Sequence, residues 1–533
     1  VESTEKKPKR RLLPRPPSMV DALIPLLFLM VSLACAIYLY GGDSIAGPVQ
    51  VTMFLSAVVA GFVGFKNGNA VTDMTKAAVD SVASAMGAIF ILLAVGSLIG
   101  TWNMSGTIAT MADFGIRVLS PTFFYITAAI VCALISVGIG SAWTVMGTMG
   151  VALVAISEGL GLSSSIAAGA VVSGAYFGDK LSPLSETTNL AAAVAGTKLY
   201  RHIRGMLVTT VPAILIALAI FLLLGFTGDA EGALDTDQAT DAIESAFWIG
   251  PLMLLPLVVV VYLAVRKYPP TVAVLAGAVS GGLLAVIFQQ DVVRAFVDDD
   301  SLATPWVLLK GVWDAMATGF VADTGFPALD ELLSGGGMAS LLETVWLIMT
   351  ALAFGGIMNH CGFLAKLIEP LRRRAKKDKG LMVATGSTAI GINALAADQY
   401  LAIVLTGNVY KSEFESRNIA PRSLSRQIED TATVTSPLIP WNSCGAYAAG
   451  VLGVTTFAYL PFAFFNWINP LISFIYAALG MQIKYRDPDE EFTPSPHQAE
   501  FYGAGGMPGD ATLDAGMHER PGPGQWEPGS EER

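Results

Sequence analysis

The chain has 533 residues, of which 53% are hydrophobic and only 14% charged, with a mean hydropathy of +0.57 and a formal net charge of −11. That much apolar surface exceeds what a water-soluble core can hide, so a soluble globular protein is excluded and lipid is the expected solvent. The negative charge does not form one acidic surface, because much of it lies in 229–244, in 291–300 and in the tail after Lys484.

A basic cluster at 6–11 is followed by Pro14, Pro16 and Pro17 and then by the first apolar run, 21–40, which lacks a small-residue cleavage site. It reads as a retained first helix behind a cytoplasmic segment 1–19. The runs 48–65, 87–102, 123–139, 206–226, 246–265, 271–288, 341–358 and 458–481 approach or reach the ~20 residues that cross a bilayer as helix. Further apolar stretches within 141–195 and 381–452 bring the expectation to roughly eleven to thirteen crossings or partial crossings. Segments 70–85 and 306–320 read as amphipathic helices at the interface, and Gly335-Gly336-Gly337 as a flexible loop. Cys35, Cys132, Cys361 and Cys444 show no paired spacing and read as small packing residues. Residues 484–533, rich in Pro, Gly and charge, read as a disordered cytoplasmic tail.

The chain repeats itself. Gly100, Asn103 and Gly106 recur 256 positions later as Gly356, Asn359 and Gly362, and Ser182-Pro183-Leu184 and Gly196 recur 254 later as Ser436-Pro437-Leu438 and Gly450. A near-constant displacement over some eighty residues predicts a duplication, with halves at 20–228 and 245–483 joined by an external acidic connector at 229–244. The loops of the two halves carry opposite charge bias. Lys66, Lys76, Lys198, Arg201 and Arg204 mark cytoplasmic sites in the first half, while the equivalent 228–244, 289–300 and 452–460 hold one basic residue, Arg294. Conversely, 266–267, 372–379 and 411–426 are basic where first-half counterparts hold only Arg117. The positive-inside rule therefore predicts inverted topology, with both termini cytoplasmic. The expected fold is all-α, with two inverted-topology repeats containing discontinuous helices and hairpins.

Each repeat carries acids beside the helix-breaking Ser-Pro-Leu. Pro183 and Pro437 free backbone carbonyls that survive at lipid depth only inside protein or a water-filled cavity. Asp179, Glu186, Asp398, Glu429 and Asp430 are the candidate ion-binding and proton-carrying groups. Ser182, Ser185, Thr187, Asn189, Ser436 and Asn442 are candidate oxygen ligands, with Thr188 and Ser443 beside them. A carboxylate among neutral oxygens suits Na+ or a proton rather than a softer metal. A carboxylate shut away from water holds its proton more tightly, whereas bound Na+ favours the anion. Protons and Na+ then compete for one site, which is the basis of antiport. Lys180 is either a partner for an acid, displaceable by Na+, or points elsewhere.

The stretch 173–197, including Gly178-Asp179-Lys180-Leu181-Ser182-Pro183-Leu184-Ser185-Glu186-Thr187-Thr188-Asn189, resembles the signature of the NhaC family of bacterial Na+/H+ antiporters. Asn393 to Tyr400, and Glu429-Asp430 through Ser436-Pro437-Leu438-Ile439-Pro440-Trp441-Asn442 to Tyr447, resemble its second-half motifs. The resemblance spans about 20–483 and implies a bacterial inner-membrane carrier of the ion transporter superfamily whose hairpin tips meet broken helices at the centre. It implies a homodimer in the lipid bilayer, Na+ and H+ as cargo, no resident cofactor and no nucleic-acid partner. At Glu186 the family more often has Asp, a difference in reach rather than charge. Because the family includes carriers similar to Na+-lactate/malate-proton antiporters, exchange of a carboxylate is the alternative reading. An intramembrane Ser–His hydrolase is the rival outside transport, but it needs a His facing a Ser, and His360 is the one histidine the sequence places in a spanning run.

Overall fold

The computed structural model describes residues 14–486 apart from 119, 228–242, 267, 300, 324–329, 331 and 332. Residues 1–13, nearly all of the acidic connector and all but the first three residues of the tail lie outside the described residues. Among the described residues eight helices are long and apolar enough to cross a membrane: Met19–Tyr40, Pro48–Lys66, Met86–Met104, Pro121–Ile139, Ala142–Gly159, Leu199–Phe226, Pro270–Phe288 and Met338–His360. A ninth is added if Ser443–Leu452 and Thr456–Phe462, bent by 92°, form one broken span. Ser164–Leu181, Asp378–Ala396 and Gln399–Ser416 are as long but less apolar, and they pack inside the molecule. The protein is thus an all-helical, multi-spanning membrane protein.

The element series recurs at 256 to 257 residues, so the helix-ending counterpart of Gly196 is Gly453 rather than the Gly450 that the 254-residue sequence spacing predicts. Met86–Met104 and Leu342–His360 start 256 residues apart, as do Thr107–Val118 and Phe363–Arg374. Ala142–Gly159 and Gln399–Ser416 start 257 apart, as do Glu186–Ala195 and Ser443–Leu452. The punctuation repeats too. Gly140 (φ 76°) and Ala397 (φ 57°) turn left-handed, and each is followed by a capping side chain, Ser141 and Asp398, that accepts from an amide three residues on. Ser185 and Asn442 cap the ten-residue helices, which end at left-handed Gly196 and Gly453. Alanine in that region costs about 1 kcal/mol, and here the carbonyl of Ala397 accepts the Ser443 amide at 2.9 Å, which holds the turn.

Small residues set the closest helix approaches, since lipid-facing helices gain little from burying apolar surface against one another. Gly174 and Gly178, one turn apart, lie on the Phe124–Ile139 backbone: a Cβ on Gly174 would fall 2.2 Å from the Ala129 oxygen, and one on Gly178 2.4 Å from that of Ala133. This spacing brings Asp179 and Lys180 into the interior. The Gly335-Gly336-Gly337 segment is a tight backbone crossing rather than a flexible loop. All three residues have positive φ, the Gly337 amide donates to the Gly96 carbonyl at 2.6 Å, and a Cβ on Gly336 would lie 2.2 Å from the Gly100 nitrogen. Backbone φ favours glycine at all three positions, and close backbone contact requires it as well at Gly336 and Gly337. The helix expected to begin at 206 begins at Leu199, because Tyr200, Arg201 and Arg204 face outward while His202 and Met206 face the core.

Gly174→Ala should lower stability by about 1–3 kcal/mol through forced helix separation. Gly138→Ala, where an added Cβ meets nothing within 4 Å, should not. Thermal unfolding in detergent monitored by size-exclusion fluorescence checks both, and equal behaviour of the two variants contradicts the packing argument.

Candidate functional site

The first break follows from its own side chains. Ser164–Leu181 ends where the Ser182 amide bonds the Asp179 carbonyl and the Ser182 hydroxyl accepts from the Leu184 amide at 3.2 Å. Asn189 Nδ2 donates to the Pro183 carbonyl at 3.0 Å and the Ser185 carbonyl at 2.7 Å, and Thr188 Oγ1 to the Lys180 carbonyl at 3.0 Å. The second break is built differently. The Pro421–Ile428 helix widens into a π-helical turn, Glu429–Thr433, and then a 3₁₀ turn, Ser436–Leu438. Its carbonyls are taken by distant side chains: Asn393 on Ala432, Asn466 on Val434 at 2.8 Å, and the Tyr459 hydroxyl on Pro437 at 2.5 Å.

The two breaks meet through charge. Lys180 and Asp430, both with no exposed surface, form an ion pair between Nζ and Oδ1. Lys180 Nζ also donates to Asn469 Oδ1 at 3.2 Å, while Asn469 Nδ2 at 3.2 Å and Thr209 Oγ1 at 3.0 Å donate to the same Asp430 oxygen. Beside this pair, Thr187 Oγ1 donates to Glu429 Oε1 at 3.2 Å and lies 3.0 Å from the Ser185 hydroxyl. Asp430 Oδ2 and Glu429 Oε2 are buried and have no partner. Asp179 is buried, facing the Ser185 hydroxyl and the Ala142 amide. The arrangement is therefore three carboxylates and one ammonium at the junction of two broken helices.

The sequence model of the Na+/H+ antiporter family matches residues 174–481. The chain is 35% identical to the Na(+)/H(+) antiporter NhaC of Alkalihalophilus pseudofirmus over 82% of its own length and 90% of that protein's. It is also 35% identical to the Na(+)/H(+) antiporter NhaC of Bacillus subtilis, over 80% and 91%. A third relative, the malate-2H(+)/Na(+)-lactate antiporter of Bacillus subtilis, is 32% identical over 88% and 97%.

The chain belongs to the Na+/H+ antiporter family.

In this antiporter the candidate residues divide into three groups. Asp179, Ser185, Thr187, Glu429 and Asp430 gather at the junction with Lys180. A second group holds backbone: Asp398 caps Gln399–Ser416 through the Leu401 amide at 2.6 Å, Asn442 accepts the Cys444 amide at 3.0 Å, and Ser182 and Asn189 secure the first break. Ser436 belongs here as well, with its hydroxyl 2.7 Å from the Thr433 carbonyl and 3.0 Å from Gln399 Oε1. Glu186 stands apart at an exposed position, where it accepts from the Tyr400 hydroxyl at 2.9 Å. Among the described residues no three Asp, Glu, His or Cys side chains converge as a metal-holding group, so a cation shell here needs hydroxyls, amides and carbonyls.

Sequence reasoning missed Thr209, Asn469 and His202. Asn466, Asn469 and Ser473 fall on one face of the apolar Phe464–Leu479 helix, a stripe that signals an internal polar partner. His202 was placed outside the spanning runs because its neighbours are basic, yet it lies buried in Leu199–Thr227, 2.8 Å from the Ser425 hydroxyl. The premise that His360 is the one spanning histidine is thus corrected.

Lys180→Met leaves a buried carboxylate unpaired and should destabilise the fold by about 3–5 kcal/mol. Adding Asp430→Asn to it should restore most of that loss. Denaturation of both proteins in detergent checks the coupling, and additive effects would contradict it.

Proposed function

We propose that the junction of the two breaks is where this antiporter exchanges Na+ for H+, by alternating access, with Asp430, Glu429 and Asp179 carrying the cargo and Lys180 as resident counter-charge. The observation that carries the reading is the buried Lys180–Asp430 pair with an unpartnered carboxylate oxygen on each of Asp430 and Glu429. Na+ arriving at Asp430 competes with the ammonium for the same oxygen. If Lys180 gives up its proton as Na+ enters, one positive charge replaces another and the site's net charge is unchanged. Thr187 and Ser185 supply neutral oxygen to the cation, and the reverse sequence returns the proton.

The halves at 20–228 and 245–483 run in opposite directions in this reading, with basic ends cytoplasmic, the 229–244 connector external, and 1–19 and 484–533 cytoplasmic. Repeat of lengths and caps together with opposite loop charge supports it. We assign the protein to a bacterial inner membrane and, following the family resemblance, to a homodimer. Carboxylate exchange, the activity in the third relative's name, finds less support in the site. An anionic cargo needs an available cation at the junction, but the Lys180 ammonium is neutralised there by Asp430.

In proteoliposomes an inward Na+ gradient should expel protons with neither malate nor lactate present. Asp430→Asn and Asp179→Asn should cut that flux by roughly two orders of magnitude. A requirement for either organic anion overturns the exchange reading, and undiminished flux in both variants overturns the site.

A further inference from the structure

The exchange mechanism leaves the buried imidazole of His202 unused. His202 has no exposed surface; its Nδ1 lies 2.8 Å from Ser425 Oγ, and its Nε2 is buried without a partner. Both members of this His–Ser pair sit on the elements that build the Asp430 environment. His202 is seven residues before Thr209 on the Leu199–Thr227 helix, hence on the same face and about 10 Å away along the axis. Ser425 is one turn before Glu429, on the helix that runs into the π-helical turn. Toward the other end, exposed Lys198 and Arg201 lie within about one turn of His202. The pair therefore stands between the ion-pair centre and the basic end of two helices.

The charged groups around it are few. Lys180 and Asp430 act on the ring from the Ser164–Leu181 helix and the π-helical turn, and Arg422 and Arg426 flank Ser425. The Phe464–Leu479 and Phe124–Ile139 helices packed on the same helix carry no Asp, Glu, Lys or Arg, and Glu186 on Glu186–Ala195 is held by Tyr400.

We propose that His202 is the proton-transfer residue connecting the Lys180–Asp430 centre to the basic face, a role that rests on the exchange reading. A proton from the basic face enters at Nε2, the nitrogen without a partner, and the imidazolium returns to neutral by giving a proton up from the same nitrogen toward the centre; export of a proton reverses the two steps. Ser425 fixes the ring and its tautomer. A histidine kept only for packing would not govern the pH dependence of transport.

The test measures Na+-driven proton flux in proteoliposomes of the full chain across a pH series, alongside Na+-dependent thermal stabilisation. His202→Gln keeps size and hydrogen-bonding capacity but not titration, and should slow flux roughly tenfold or more with a flattened pH profile while Na+ stabilisation persists. Ser425→Ala should shift the profile's midpoint with a smaller loss. A wild-type rate and profile in His202→Gln overturns the proposal; should that variant fail to insert, an unshifted profile in Ser425→Ala does so. If Asp430→Asn abolishes exchange while His202→Gln is unaffected, the relay alone falls. If Asp430→Asn transports normally, the exchange site falls with it.

Discussion

An ammonium and a carboxylate, both closed off from solvent, meet where the two broken helices touch, and the surrounding structure is arranged around the cost of keeping them there. Each buried ion gives up several kcal/mol of hydration. Lys180 and Asp430 recover it from one another and from Asn469 and Thr209, which reach the same atoms from two further helices. Four elements are thereby tied to one point: the helix before the first break, the π-helical turn, the long helix Leu199–Thr227, and the last described helix. A shift of any one of them disturbs a fully desolvated contact, so the pair fixes the register of both breaks.

The remaining polar residues of the motifs answer a different demand. A helix interrupted at lipid depth exposes carbonyls that no water in the bilayer core can satisfy. Asn189 and Thr188 close the first break locally, whereas the second borrows Asn393, Asn466 and Tyr459 from distant helices. Residue types that suggest ion ligands thus mostly secure backbone. Among the carboxylates of the junction, one oxygen on Glu429 and one on Asp430 are buried without a partner, as are the neighbouring Thr433 hydroxyl and Asn466 amide oxygen.

This division explains what the sequence made legible. The spanning runs and the two Ser-Pro-Leu breaks are local signals, written in hydropathy, spacing and proline; seven of the nine runs recur as membrane-length helices, whereas 246–265 and 458–481 hold the shorter helices Pro251–Ala264 and Phe464–Leu479. The pairing of Lys180 with Asp430 is not local: 250 residues separate them, and no periodicity encodes which acid a buried lysine meets. Asp398 reads as an ion-binding acid because it lies in an apolar run; that it also caps a helix, after a left-handed alanine, is what the sequence did not show. His202 was hidden by its basic neighbours, since a charge cluster reads as loop even when a helix passes through with its cations turned outward.

The segments around the two breaks match in the length of the helix that follows and differ in charge. Each has a ten-residue helix beginning after its break, closed by a left-handed glycine. Yet the ammonium, the Asp179 carboxylate and the hydroxyls of Ser185 and Thr187 come from the first segment, and the adjacent acids Glu429 and Asp430 from the second. The backbone differs at the same place: Glu429–Thr433 is π-helical, whereas the positions 257 residues earlier lie in the regular helix Ser164–Leu181. π-turns interrupt the regular helical hydrogen-bond pattern and gather at functional sites. Here the turn presents two successive acids to different first-copy partners, Glu429 to Thr187 and Asp430 to Lys180. The two breaks meet through this pairing, which leaves one carboxylate oxygen on each of Glu429 and Asp430 without a partner. Two acidic turns in contact would repel each other, so the Lys180 ammonium opposite Glu429-Asp430 is what allows the breaks to touch while carboxylate stays buried between them.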